Sequence, residues 1–134
     1  MTTHNSPFVL MADDDDDDCM LAKDAFAASG AKGDFICVEN GIELLESLSV
    51  GTIPVFILLD LNMPRKDGRQ VLKEIKGMPE FKSIPIVVLT TSSEEKDIQY
   101  SRQMGAHSFM TKPATFGEWV GMMKTLAEEL INVD

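Results

Sequence analysis

Short apolar runs alternate with segments of helical periodicity five times along the chain, and this alternation limits the fold more than any other feature. Two of the runs, 54–60 and 84–90, consist almost wholly of large aliphatic side chains. Strands of this kind are covered on both faces, as in a parallel sheet flanked by helices. The predicted strands are 7–12, 34–39, 54–60, 84–90 and 106–111, and the predicted helices are 19–29, 40–50, 69–77, 92–105 and 112–132. We therefore expect an α/β fold with a doubly wound, five-stranded parallel sheet and five helices.

Composition indicates a single domain and argues against two classes of partner. The 134 residues are 44% hydrophobic, which is enough for one buried core, and neither a linker nor a repeat divides them. We therefore expect one domain over 1–134 with its core in 7–131. The formal net charge of −10 argues against a nucleic-acid partner and against an anionic membrane surface, because both are bound by basic faces.

The N-terminus and the cysteines predict a cytoplasmic protein. The segment MTTHNS is polar, and the apolar stretch after it is too short for a signal peptide or a membrane span. Cys19 and Cys37 are the only two cysteines. In a leaderless chain we expect them to be reduced thiols, buried as small hydrophobic side chains.

Polar side chains follow four of the five predicted strands. Asp13 and Asp14 follow the first, Asp60 the third, Thr90 the fourth and Lys112 the fifth. In an open parallel sheet, ligands bind outside the carboxyl ends of the strands. Clustered carboxylates repel one another unless a hard cation lies among them, and oxygen ligands without His or Cys favour Mg²⁺, Mn²⁺ or Ca²⁺. Together with a lysine and a hydroxyl, such a site indicates phosphoryl transfer, with a carboxylate as the nucleophile that forms an acyl phosphate.

Four motifs at these strand ends resemble the receiver domain of bacterial two-component response regulators: MADD, ILLDLNMPRKDG, VVLTTS and SFMTKP. The resemblance extends over 7–131 and implies a flavodoxin-like sheet of strand order 2-1-3-4-5. Because no output domain follows, the chain is similar to stand-alone, chemotaxis-regulator-like proteins. The stretch DLNMPRKDGRQVLKEIK is particularly similar to single-domain regulators that are paired with bacterial phytochrome kinases.

The resemblance implies a phosphoacceptor and a set of metal ligands. Asp60 matches the phosphoacceptor. Asp14 matches a direct Mg²⁺ ligand, and Asp13 matches an acid that binds the ion mostly through water. Asn62, two residues after the acceptor, matches the position whose backbone carbonyl binds the metal.

Three further positions match residues that bind the phosphoryl group or respond to it. Thr90 matches the hydroxyl that bonds to the phosphoryl group, and Lys112 matches the ammonium that pairs with it. Phe109 matches the aromatic switch position. The bond before Pro113 is expected to be cis, since that is typical of the family's Lys–Pro bond. Gly68 matches a residue that shapes the loop after the acceptor.

The six aspartates of Asp13–Asp18 are expected to divide into two functional acids and four others. Because the family's acidic pair comes directly after the first strand, the first two aspartates are the pair. Asp15 and Asp16 are expected in the connecting turn, and the next two in the first helical turn, where the helix dipole favours negative charge. One of Asp15 to Asp17 is expected to be the N-cap, and Leu21 then falls on the buried face of the helix. Whether the extra charge strengthens metal attraction or repels an acidic partner stays open.

These roles imply a signalling switch that assists its own phosphotransfer and dephosphorylation without being an enzyme in the ordinary sense. A sensor histidine kinase, of which a bacterial phytochrome is one candidate, donates its phosphoryl group to Asp60 with Mg²⁺ bound. Thr90 is then drawn inward and Phe109 turns in behind it, which changes the surface of helix 4, strand 5 and helix 5. A downstream protein, or a second copy of the chain, binds that surface.

Two other functions are weighed against the switch. An Mg²⁺-dependent phosphohydrolase that works through an aspartyl phosphate needs an acid two residues after its nucleophile, and Asn62 in that position counts against it. A pseudo-receiver adaptor that works without phosphorylation would normally lack one of Asp14, Asp60, Thr90 or Lys112, and all four are present.

Overall fold

Strands and helices alternate along the part of the chain that the structure describes. The computed structural model describes residues 7–131. In chain order the elements are β1 (Phe8–Ala12), α1 (Asp16–Ala28), β2 (Asp34–Val38), α2 (Gly41–Ser49), β3 (Phe56–Leu59), α3 (Gly68–Lys76), β4 (Ile86–Thr90), α4 (Glu95–Gln103), β5 (Ser108–Thr111) and α5 (Phe116–Leu130). Every predicted strand and helix is present, and the ends of most differ from the prediction by one to four residues.

The five strands form one parallel sheet in the order β2-β1-β3-β4-β5. The predicted α/β, doubly wound fold is therefore confirmed. The chain runs outward from β1 to β2 and then returns past β1 to β3, so the winding direction reverses between β1 and β3. Such a reversal leaves a crevice at the carboxyl ends of the two strands. It lies where Asp13 and Asp60 leave the sheet, and the Asp60 backbone N–H donates to the carbonyl of Ala12 at 3.1 Å.

The alternation of side chains along each strand builds two cores, one on each face of the sheet. One core combines Val9 and Met11 of β1 with Phe26 of α1 and with Trp119 and Met123 of α5. The other combines Leu10 and Ala12 with helices α2 and α3, through side chains that include Leu44, Leu48, Leu72 and Ile75. Because both faces are covered, β3 and β4 are fully buried, as their aliphatic sequences predicted.

Helix α1 begins inside the aspartate run, three residues earlier than predicted. Asp15 is its N-cap, and its side chain accepts hydrogen bonds from the N–H groups of Asp17 and Asp18. The prediction of an N-cap among Asp15 to Asp17 is confirmed. The expectation for Leu21 was wrong, because its side chain is 38% exposed. The buried face is Ala22, Ala25 and Phe26, and Leu21 precedes it by one residue, a rotation of about 100° around the helix.

Cys19 and Cys37 are joined by a disulfide, so the expectation of two reduced thiols was wrong. Cys37 lies in β2 beside Met11 of β1, and α1 packs over this face of the sheet. The two Cα atoms are 6.3 Å apart, within the range that a disulfide spans. This proximity comes from the packing of α1 on β2, and the sequence separation of 18 residues gave no sign of it.

The peptide bond before Pro113 is trans, as are all the other peptide bonds within residues 7–131. The expectation of a cis bond was wrong. The trans isomer has the lower energy for an X–Pro bond. It leads directly into α5, where Thr115 is the N-cap and forms a reciprocal capping box with Glu118. Within the same residues, no helix is both long and apolar enough to cross a membrane.

Candidate functional site

Three carboxylates meet at the crevice between the ends of β1 and β3. One carboxylate oxygen from each of Asp13, Asp14 and Asp60 lies within 4.8 Å of the other two. Asp13 and Asp60 are 1% and 6% exposed, whereas Asp14 faces solvent. The topology causes this meeting, because Ala12 and Leu59 are register partners and the next residues leave the sheet side by side.

Lys112 brings a positive charge to the same crevice from the end of β5. Its Nζ lies 2.7 Å from Asp13 Oδ2, 2.7 Å from Asp18 Oδ2 and 3.2 Å from Asp60 Oδ2. The Lys112 backbone N–H donates to the carbonyl of Thr90 at 3.0 Å, which fixes the start of this side chain at the end of β4. The structure therefore brings Asp13, Asp14, Asp60 and Lys112 together, as the strand ends predicted.

Asp18 is the site residue that the sequence did not reveal. We expected the last four aspartates of the run only to cap the helix, to lie in the turn or to be solvated. For Asp18 this expectation was wrong, because its carboxylate accepts a hydrogen bond from Lys112. One signal was available, since α1 starts at the same edge of the sheet and Asp18 lies in its first turn. The missing information was the direction of the side chain, which depends on where the helix begins.

Burial and opposite charges set the pKa values of this cluster. Burial raises the pKa of Asp13 to about 6, with a smaller contribution from the negative charge of Asp60, and the Lys112 ammonium and the Asp15 N–H offset only part of that rise. Burial alone would lower the pKa of Lys112, but the carboxylates of Asp13 and Asp18 raise it above its ordinary value. The ammonium is thus firmly charged, while the charge on Asp13 is only partly compensated.

The carboxylates fit a divalent cation. Asp13 Oδ2 is buried and makes a charge contact with Lys112 that lacks the geometry of a hydrogen bond, so it retains an unsatisfied lone pair. The donors that converge here are all oxygen atoms, a set that suits Mg²⁺ or Mn²⁺. A cation would satisfy this oxygen and relieve the repulsion among the three acids.

Asn62 and Thr90 contact each other beside Asp60, at the end of β3. The Asn62 backbone N–H donates to Asp60 Oδ1 at 3.0 Å, and its side-chain amide donates to Thr90 Oγ1 at 3.4 Å. Thr90 is fully buried at the end of β4, and its Oγ1 also receives the N–H of Ser92 at 3.4 Å. The Thr90 hydroxyl is thus tied to the loop that follows Asp60.

Phe109 is half-buried on the α4 side of β5. Its ring packs against the core of the α2 and α3 face, and it lines a cavity of about 300 Å³ between α4 and β5. Ser101 and Ser108 also line this cavity, and each has a buried hydroxyl without a hydrogen-bond partner. The contact between α4 and β5 therefore contains a cavity beside the Phe109 ring.

The fold and the site together define a response regulator receiver domain. The family model for this domain matches residues 9–124, and the chain belongs to that family. Among individual proteins, it is 36% identical to the response regulator Rcp1 of Synechocystis over 110 residues, 78% of this chain and 75% of Rcp1. Members of this family are signalling switches of two-component systems rather than classical enzymes.

Two solved structures extend this likeness to nearly the whole chain. The Mn²⁺-bound form of Rcp1 superimposes with a TM-score of 0.84 at 31% identity and covers 96% of this chain and 97% of its own. The phosphorylated cyanobacterial phytochrome response regulator RcpA gives a TM-score of 0.87 at 34% identity and covers 96% of both chains. The chain thus resembles receiver domains that were solved with a divalent metal or with a phosphoryl group.

Proposed function

We propose that this chain is a phosphorylation-dependent signalling switch in which Asp60 is the phosphoacceptor. The observation that carries the proposal is the position of Asp60, which is nearly buried between two other acids and the Lys112 ammonium. A carboxylate in such a setting can accept a phosphoryl group, because the charge that develops on the phosphoryl oxygens meets fixed positive charge.

Each residue of the crevice has a part in the proposed transfer. An oxygen of Asp60 attacks the phosphorus of a phosphohistidine, and the new P–O bond forms as the P–N bond breaks and the imidazole nitrogen keeps the electron pair. Asp13, Asp14, Asp60 and the backbone carbonyl of Asn62 would hold Mg²⁺, which would supply charge neutralisation at the phosphoryl oxygens. Lys112 holds one of these oxygens.

Thr90 and Phe109 connect phosphorylation to the surface. The Thr90 hydroxyl exchanges its contact with Asn62 for a phosphoryl oxygen, and the Phe109 ring moves toward the space that is left. The cavity between α4 and β5 and the two unpartnered hydroxyls beside it support such a movement. The result is a shift between existing populations that alters the α4–β5–α5 face.

The partners follow from this proposed role. We propose a sensor histidine kinase as the phosphoryl donor, and a bacterial phytochrome as a specific candidate because RcpA is a phytochrome response regulator. A downstream protein or a second copy of the chain would bind the α4–β5–α5 face. The net charge of −10 argues against nucleic acid and against an anionic membrane surface as partners.

Incubation with acetyl phosphate and Mg²⁺ tests the proposal. A switch gains the mass of one phosphoryl group per chain, keeps it long enough to be detected, and loses this gain in Asp60→Asn. A phosphohydrolase would instead consume acetyl phosphate over many cycles, and an adaptor would neither gain mass nor consume the reagent. Absence of the adduct from the unmodified chain would reject the proposal.

A further inference from the structure

The Lys112 ammonium has more carboxylate partners than the proposed phosphoryl transfer requires. Asp13 and Asp60 both belong to the group that fits a cation, whereas Asp18 is not a member of that group. Its carboxylate is nonetheless as close to Nζ as that of Asp13, at 2.7 Å. Asp18 therefore acts on the lysine alone.

Asp18 is held in a fixed place by the start of α1. Its backbone N–H donates to Asp15 Oδ1 at 3.1 Å, so the capped first turn determines where its side chain begins. The Asp18 side chain is 22% exposed and that of Lys112 is 9% exposed, so their contact is partly shielded from water. Charge-assisted hydrogen bonds in such places are stronger than those on an open surface.

The other two carboxylate partners of the lysine change during the proposed cycle, and Asp18 does not. A cation would draw Asp13 and Asp60 toward itself, and phosphorylation would convert the Asp60 carboxylate into an acyl phosphate. In a site that holds both the cation and the phosphoryl group, Lys112 therefore lies between two anions, the phosphoryl group and the Asp18 carboxylate.

We propose that Asp18 is a positioning residue that shares Lys112 with the phosphoryl group and so weakens the hold of the site on phosphoryl oxygens. This inference rests on the proposed function. The Asp18 carboxylate accepts a hydrogen bond that the Lys112 ammonium could otherwise donate to the phosphoryl group. It also repels the negatively charged phosphoryl group across a few ångströms. Asp18 thereby lowers the population of the phosphorylated, switched state.

The matched pair Asp18→Asn and Asp17→Asn tests this inference with fluoroberyllate, a phosphoryl mimic, at saturating Mg²⁺. Both variants remove one charge from the same helical turn, but Asp17 is exposed. We expect Asp18→Asn to bind fluoroberyllate about fivefold more tightly by titration calorimetry, and Asp17→Asn to match the unmodified chain. A loss of affinity in Asp18→Asn, or an equal change in both variants, would overturn the inference.

A spectroscopic signal distinguishes this role from a structural one. The Lys112 side-chain ¹³Cε–¹Hε resonance, identified by its absence from Lys112→Arg, should shift in Asp18→Asn and stay in place in Asp17→Asn. An unmoved resonance overturns the inference, and Asp18→Ser provides a second variant with the same expected shift. If the unmodified chain binds no fluoroberyllate and forms no acyl phosphate, the proposed function fails, and the resonance still decides whether Asp18 holds the lysine.

Discussion

At the scale of single residues, Gly68, which lies against Asp60, has the least room for a side chain among the glycines. A Cβ atom built on Gly68 would collide with the carbonyl oxygen of Asp60 and would lie 2.7 Å from the Cα atom of Leu61. The Gly68 N–H also donates to the carbonyl of Leu61 at 3.0 Å. The absence of a side chain at the start of α3 is thus what lets the loop after Asp60 fold back onto the strand end.

We expect Gly68→Ala to destabilise the fold by about 2 kcal/mol, because backbone atoms at the acceptor must move to admit the methyl group. The control is Gly121→Ala in the middle of α5, where the new Cβ meets open space. That change should stabilise the chain by about 0.5–1 kcal/mol, since alanine is the better helix former. Urea denaturation of both variants measures the difference, and equal effects would contradict the close approach at Gly68.

The site residues that the sequence revealed are those whose positions depend only on strand order. Asp13, Asp14, Asp60 and Lys112 each come directly after a strand, and parallel strands bring their ends to one edge whatever the packing details. Asp18 comes from a helix, so its direction depends on the residue at which α1 begins. The apolar pattern does not show at which residue that helix begins, because every residue of the run Asp13–Asp18 is an aspartate.

At the scale of elements, an ion pair between the half-buried Arg69 and the buried Asp97 joins α3 to α4. The Arg69 guanidinium, at the start of α3, donates from two nitrogens to the two carboxylate oxygens of Asp97 in α4, each at 2.8 Å. Ser92 donates to Asp97 Oδ2 at 2.7 Å, and the Tyr100 hydroxyl donates to the Arg69 carbonyl at 3.0 Å. Because α3 follows the acceptor loop, this network fixes α4 relative to the loop that carries Asp60.

We expect Asp97→Asn to lower the free energy of unfolding at neutral pH by about 2 kcal/mol, since it leaves the Arg69 charge half-buried without its partner. The hydrogen bonds from Arg69, more than those from Ser92, hold the pKa of Asp97 below its ordinary value of 3.8. The folded state therefore binds this proton less readily than the unfolded state. The stability that Asp97 provides is present above pH 3.8 and is lost as the pH falls through the lower, folded-state pKa.

Urea denaturation of the unmodified chain and of Asp97→Asn at several pH values checks this sign. The difference between them should be constant near neutral pH and should shrink on acidification. Glu95→Gln removes an exposed charge from the first turn of α4 and should change stability by less than about 0.5 kcal/mol. A difference that grew as the pH fell would contradict the direction given for Asp97.

The disulfide between α1 and β2 gives a second prediction at this scale. It closes a loop of 18 residues, and in the chain-entropy model such a cross-link stabilises the fold by about 3 kcal/mol. Replacement of both Cys19 and Cys37 by serine should therefore lower the urea midpoint by a corresponding amount. Dithiothreitol should lower the midpoint of the unmodified chain in the same way and leave the double variant unchanged. If dithiothreitol left the urea midpoint of the unmodified chain unchanged, this result would contradict the cross-link.

Element order and type followed from the sequence, whereas contacts between elements did not. Asn40, the first residue of the predicted helix 40–50, is the N-cap of α2, and capping depends on only a few neighbouring residues. The disulfide, the exposure of Leu21 and the Arg69–Asp97 pair each depend on how one element is rotated against another. A single sequence carries little information about such rotations, because several of them satisfy the same apolar pattern.

At the scale of the whole molecule, negative charge is concentrated where the proposed cation would bind. Six of the 22 acidic residues lie in one run, and the net charge is −10. Such a charge destabilises the compact state through self-repulsion, and clustered acids at one edge add to it. Mg²⁺ bound in the crevice would reduce the repulsion among the carboxylates of the folded chain. Binding of Mg²⁺ should therefore raise the stability of the fold.

We expect Mg²⁺ to raise the midpoint of thermal unfolding more than NaCl of the same ionic strength. A ligand that binds only the folded state at a hundred times its dissociation constant adds about 2.7 kcal/mol to the free energy of unfolding. NaCl screens the general repulsion but does not occupy the crevice.

Asp14→Asn should lose the specific part of the Mg²⁺ effect and keep the salt effect, because Asp14 belongs to the three-carboxylate group. Asp17→Asn should keep both, since it removes the same charge from outside that group. If the two variants responded to Mg²⁺ alike, the ion would be acting on net charge and the crevice would have no special affinity for it.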